Sequence, residues 1–228
     1  MKMVWDQTGQ RFFHTGVSDV ALFMQTGSSS TNEGYVGGVA WSGVTSITQS
    51  PDGADAQNFY ADNIKYLSLR AKENFKGSIK CYQYPDSFKA ALGKKELVAG
   101  SKVYVGQQSR ASFGLVWKTK YGNDSQGEDY GYIIHIAYGL TAGPSEEEDN
   151  TTNETPEINE FSFDLESTPA QTTDGSVVTS YVELKSTDFS AGTPKTKFDT
   201  LEAYIYGSDS SSVYTMPTLS YIKTLFST

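Results

Sequence analysis

Short runs of alternating polar and apolar residues, a high aromatic content rich in tyrosine, and turn signals spaced along the chain predict a mainly β protein. The expected architecture is a β-sandwich or partial barrel with one or two short flanking helices. The 228-residue chain contains 15 Tyr, 12 Phe and 3 Trp. Such side chains suit sheets and interfaces better than helical bundles. The length fits one domain spanning 1–228 with a substantial core.

Residues 1–16 have no clear period and predict an irregular N-terminal arm. Val17 to Thr26 is the first strand, followed by the flexible loop GSSSTNEG. Val36 to Thr48 predicts a second strand with Val39, Trp41 and Ile47 on one face. SPDGAD then turns the chain, because Pro, Asp and Gly supply a preset φ, a side-chain turn bond and a positive-φ position. Ile64 to Ala71 is β-permissive, with Leu67, Leu69 and Ala71 on one side, and the Glu73-Asn74 corner follows. Phe75, Gly77, Ile79 and Cys81 alternate against Lys76, Ser78 and Lys80, the pattern of a strand buried on one face. Tyr84-Pro85-Asp86 ends that strand, since proline donates nothing to a ladder. A short helix follows, with Phe88, Ala91 and Leu92 on one face and Gly93 as its stop.

Glu96 to Val105 is expected to be extended. Phe113 to Tyr121 and Tyr130 to Leu140 form the clearest hairpin, across the loop GNDSQGED. Tyr132, Ile134, Ile136 and Tyr138 share one face of its return strand, and His135 points the other way. From Ser145 to Glu166 there are nine acids and no base, so the rest of the chain is balanced at 18 of each sign. The first part, SEEEDNTTNETPE, predicts a loop. The second predicts a strand with Phe161, Phe163 and Leu165 inward and Glu160, Ser162, Asp164 and Glu166 outward. Val177 to Lys185 is assigned as its partner strand, Thr187 to Lys197 as an open connection, and Asp199 to Tyr206 as a second short helix ended by Gly207. Residues 208–228 are a candidate C-terminal arm.

The formal charge of −9 argues against attraction to nucleic acid. It does not prevent a surface past which DNA slides. A single cysteine, Cys81, leaves no intrachain disulfide and suits a reducing compartment. No apolar run approaches the roughly 20 residues of a membrane span, so the expectation is a soluble, unsecreted protein. There is no nucleophile elbow, P-loop, dinucleotide fingerprint or zinc-binding His-Glu-x-x-His, so no enzyme, cofactor or metal is expected. The oxygen ligands of GNDSQGED lack an EF-hand register. Asp164 and Glu166 have hydrolase-like spacing, but no sugar-stacking aromatic lies beside them.

Several stretches together resemble one family. They are NFYADNIKYLSL with ENFKGSIKCYQYPDSF, SFGLVWKTKYGND with GYIIHIAYGLTAGPSE, TPEINEFSFDLESTP, and the C-terminal DTLEAYIYG and MPTLSYIKTLF. In order and spacing they are similar to the major tail proteins, or tail tube proteins, of long non-contractile-tailed phages and prophages of Gram-positive bacteria. The resemblance covers about Gly38 to Phe226, and departs from the family at the N-terminus and at the serine-rich Ser208 to Ser212.

The resemblance implies a structural virion protein with a helix-flanked sandwich of the tail-tube type, made in the bacterial cytoplasm and ending in the tail. Six copies would form a ring, and rings would stack head to tail into a tube that conducts DNA at ejection. Tape-measure and tail-terminator proteins would be further partners. On that reading Glu160, Asp164 and Glu166 are candidate lumen-facing charges. Pro51, Asp52 and Gly53 in one loop, and Glu146, Glu147, Glu148 and Asp149 in another, are candidate contacts between rings. The competing classes are a carbohydrate-binding β-sandwich and, behind it, a β-rich hydrolase.

Overall fold

The strands that organise the molecule are β9 (Phe113–Asn123) and β10 (Gly127–Ala142), the hairpin that alternation predicts. In the computed structural model, residues 3, 5–26, 34–53, 56–70, 73–145, 147, 151, 158–208 and 214–227 are described. The centre of each strand is buried on both faces, so both sides of its pleat carry apolar residues. Leu115 and Trp117 lie in one core and Val116 in another.

The chain enters along β1 (Phe12–Gln25), which pairs antiparallel with β9 and carries β2 (Tyr35–Ala40) on its other side. It then passes to β3 (Val44–Gln49), β4 (Gln57–Ala61), β5 (Ile64–Leu69) and β6 (Lys76–Cys81). A short 3-10 turn at Asp86–Ala90 and the two-residue strands β7 (Lys95–Glu96) and β8 (Tyr104–Val105) lead into β9. After β10 come β11 (Phe161–Ser167), β12 (Ala170–Gln171), β13 (Val178–Thr179) and β14 (Tyr181–Lys185). A second 3-10 turn at Ser186–Phe189 and the helices α1 (Gly192–Tyr206) and α2 (Leu219–Ser227) complete it. The large antiparallel sheet runs β2-β1-β9-β10-β11-β6-β3, with β14 paired to β10.

That sheet folds over itself into two layers. Phe113, Leu115 and Trp117 face Ile79, Cys81, Phe163 and Leu165, with Phe88 of the first 3-10 turn closing one end. On the far side of β1, β9 and β10, Phe23, Val116, Ile134, Ile136 and Tyr138 meet Phe198, Leu201, Ile205, Met216 and Leu219 from the helical layer. The result is a mainly β protein, a two-layered sheet with a pair of helices on one face. Each large side chain removed from water contributes about 1.5–3 kcal/mol.

β10 crosses between the layers at Gly139. Residues 133–137 pair with β14 and residues 140–142 with β11. The break needs φ +59 at Gly139, and a Cβ there would lie 2.1 Å from the Thr168 carbonyl oxygen. Thr168 N–H in turn donates to the Gly139 carbonyl at 2.8 Å. Helix α1 buries Phe198, Leu201 and Ile205, a single stripe, and stops at Gly207, whose φ is +83 and whose N–H donates to the Ala203 carbonyl.

Several sequence expectations change. Strand β1 begins at Phe12, so the end of the supposedly irregular 1–16 stretch is sheet, and the Gly9 and Arg11 N–H groups donate to Asp124. The Val36–Thr48 stretch is two strands in different layers, because the chain crosses at Trp41, whose N–H donates to the Val20 carbonyl. Ile64–Leu69 pairs with Gln57–Ala61 through a turn at Asp62-Asn63, with φ of 51 and 62, and not with the Phe75–Cys81 strand. Short polar side chains tolerate that left-handed geometry. The strand at 181–185 pairs with β10 instead of β11. Helix α1 starts seven residues earlier than Asp199, within the expected open connection. The C-terminal segment packs on its own subunit, with Met216 and Leu219 buried and the Tyr138 hydroxyl donating to the Pro217 carbonyl at 2.8 Å.

Gly139→Ala is expected to destabilise the fold by at least about 2 kcal/mol, since it adds both a disallowed φ and a backbone clash. Urea unfolding of the two proteins checks this; an unchanged midpoint would show that the crossing is not constrained there.

Candidate functional site

The three acids singled out from sequence share one strand, and its register sets their surroundings. In β11, Ser162 lies opposite Lys80, Asp164 opposite Ser78, and Glu166 opposite Lys76 of β6. The next row comes from β3, with Ser46 beside Lys80 and Thr48 beside Ser78. Because side chains alternate, these residues form the outer face of the sheet while Ile47, Ile79, Phe163 and Leu165 form its inner face. All of the outer residues are exposed or half-exposed.

The acids are not a free anionic stripe. Lys76 Nζ lies 3.3 Å from Glu166 Oε1 and Lys80 Nζ lies 3.8 Å from Glu160 Oε2. Thr45 Oγ1 also donates to Glu160. Asp164 makes no ion pair among the described residues. Sequence reading missed the lysines, although their alternation in β6 placed them on the same kind of face. Asp164 and Glu166 stand on the outer face of the sheet.

The two candidate loops have different settings. Pro51, Asp52 and Gly53 are exposed, and Asp52 exchanges two backbone hydrogen bonds with Asn74 at 3.0 Å. This bridge lies beyond the end of the β3–β6 ladder. In the acidic loop, Glu147 accepts from Lys94 Nζ at 2.9 Å, and Arg110 Nη1 donates to the Ala142 and Gly143 carbonyls at its entry. Glu146, Glu148 and Asp149 lie outside the described residues. The Asn123 carboxamide of GNDSQGED caps a tight turn, accepting from the Ser125 and Gln126 N–H groups at 3.2 and 2.7 Å.

Two polar clusters were not anticipated. Lys118 is largely buried between Asp19 Oδ2 at 3.1 Å and Glu202 Oε1 at 2.7 Å. Burial pulls its pKa down, but the carboxylates outweigh that and hold it above the ordinary lysine value. The Tyr132 hydroxyl donates to Glu202 at 2.7 Å, and burial followed by that carboxylate pushes the phenol up. Beside this cluster lies a cavity of about 620 Å³ between β1, β2 and α1.

The second cluster surrounds His135. Its ring stacks on Trp117 at 5.1 Å, and its two nitrogens share hydrogen bonds with Thr119 Oγ1 and Tyr181 Oη. The position opposite Ile134 and Ile136 follows from alternation, but that side of β10 also faces a core. Burial, with His14 adding repulsion, lowers the imidazole pKa to about 4. It is a neutral structural group over the ordinary working range.

No protein-family model matches the chain, and no curated protein sequence matches it. No helix among the described residues is long and apolar enough to cross a membrane.

Because native His135 stays neutral to about pH 4 while an unfolded imidazole protonates near pH 6.5, acid favours the unfolded chain. This contribution is intact above about pH 6.5 and is lost as pH falls toward 4. Stability is expected to drop by about 2 kcal/mol by pH 5 from this group. Urea midpoints measured against pH check it, and His135→Gln should flatten this limb of the profile.

Proposed function

We propose that this chain is the building block of a phage tail tube. Copies pair side by side into rings, six to a ring as in the family the sequence resembles, and rings stack into a tube that conducts DNA at ejection. The observation that carries this reading is the outer face of β3, β6 and β11. It is wholly hydrophilic, built from Ser46, Thr48, Lys76, Ser78, Lys80, Ser162, Asp164 and Glu166, and it backs directly on an aromatic core. Among the described residues, β3 ends this layer, and β2 and β14 end the other, each with a ladder on one side only. Such edges invite pairing with further chains, and closing a ring removes them.

A wall for moving DNA must be wetted without binding phosphate. Lysines on this face are offset by neighbouring carboxylates, with one acid in excess when Glu160 is counted, so it offers no basic track. With a Debye length of about 8 Å at physiological salt, these charges act on a duplex near the wall and not across a wide bore. Head-to-tail contacts between rings are heterologous and so propagate into an open tube. The chain would then reside in the virion tail after synthesis in the bacterial cytoplasm. Tape-measure and tail-terminator proteins would be its other contacts.

Electron microscopy of the concentrated, full-length protein tests the reading: rings or hollow tubes are expected. A protein that stays monomeric at every concentration and is missing from tail shafts would overturn it. In phage carrying Asp164→Lys with Glu166→Lys, slower DNA release from intact tails is expected; an unchanged release rate would remove this face from the lumen.

A further inference from the structure

Strand β1 breaks its register with β9 on either side of Ser18, the residue opposite Lys118. Asp19 follows in the left-handed region at φ +49, inside an otherwise extended strand. A bulge of this kind re-aims a side chain, and a residue other than glycine is strained in it. Here it brings Asp19 Oδ2 to 3.1 Å from Lys118 Nζ. Glu202 of α1 reaches the same nitrogen at 2.7 Å and is itself held by the Tyr132 hydroxyl at 2.7 Å. The rings of Tyr132 and Tyr206 lie 5.0 and 4.6 Å from Nζ, and the lysine side chain is only 16% exposed. Strain gathers where a protein holds reacting groups together. An amine, a carboxyl group and a second carboxylate able to move protons, in contact under aromatic cover, are the parts that an amide bond needs.

We propose that Lys118 and Asp19 condense to a side-chain amide that staples β1 to β9, with Glu202 as the catalytic proton carrier. In the resting trio the lysine is an ammonium, because its two carboxylates outweigh its burial. Reaction starts from the minor form in which one proton has passed from Nζ to Glu202. The free amine attacks Cγ of Asp19, and the N–C bond forms. The bond from Cγ to one carboxyl oxygen then breaks. That oxygen leaves as water with the two protons shed by the nitrogen, one of them delivered by Glu202. Ammonium and carboxylate become amide and water, so charge balances and nothing is oxidised or reduced. The scarcity of the reactive form makes the step slow. Contact offsets this, since well-oriented groups act at effective concentrations of about 10⁵–10⁸ M. The water leaves along Asp19, which is more than half exposed. The three groups come from β1, β9 and α1, so the bond forms only after folding. Unlike an ion pair, it holds the two strands together in acid and in high salt.

Intact-mass spectrometry and peptide mapping of the full-length protein, followed over time after purification, test this within one subunit and independently of assembly. The protein is expected to become lighter than its sequence by one water, and digestion should yield a branched peptide joining the Asp19 and Lys118 segments. Lys118→Arg, which keeps the positive charge, and Asp19→Ala should show neither. Glu202→Gln leaves the reacting pair in place and should slow the reaction about a hundredfold or more; an unchanged rate would overturn the role of Glu202. A wild-type protein that keeps its full mass, with Asp19 and Lys118 in separate linear peptides, would overturn the bond itself. A loss of water that persists in Lys118→Arg would also overturn it, in favour of cyclisation at Asp52-Gly53 or Asp174-Gly175.

Discussion

Burial of β9 and β10 on both faces is the constraint on which the rest of the structure depends. A strand covered on one side tolerates a polar row on the other, but these two need apolar or fully paired side chains at every central position. Leu115 and Trp117 fill the space between the sheet layers, while Val116, Ile134 and Ile136 hold the helices. Lys118 and His135, two polar residues that intrude, are tolerated because each is paired, by two carboxylates in one case and two hydroxyls in the other. Gly139 then lets one continuous strand serve both layers.

A centre committed to packing leaves interaction to the periphery. Among the described residues three kinds of peripheral surface stand out: the edge strands β2, β3 and β14, the hydrophilic outer face of the second layer, and the β4–β5 hairpin. None of them is satisfied within the subunit in the way the core is. Among the described residues an edge strand has a ladder on one side only, and the apolar face of the hairpin is exposed. The self-assembling reading uses the edges for lateral contacts.

Legibility in the sequence followed a physical divide. Alternation over Phe75–Cys81, Phe161–Leu165 and Tyr132–Tyr138 reported which face of each strand is buried, because that depends on local period alone. Strand partners depend on tertiary contacts, so Ile64–Leu69 and Tyr181–Lys185 were joined to the wrong neighbours. The Asp62-Asn63 turn was hidden because it lacks the glycine that usually marks such a hairpin. The outward direction of Asp164 and Glu166 was readable, whereas their pairing environment was not, because Lys76 and Lys80 are 80 or more residues away in sequence. The apolar side of Ile64–Leu69 was visible as Leu67 and Leu69, but whether that side is covered depends on tertiary contacts, and it is exposed.

Amide hydrogen exchange over the edge strands β2, β3 and β14, compared between dilute and assembled protein, addresses the central claim most directly. The account predicts fast exchange of their outward amides in the dilute subunit and strong protection on assembly, with the core amides of β9 and β10 protected in both. Equal exchange of the edges in both states, in a sample seen to have assembled, would contradict it.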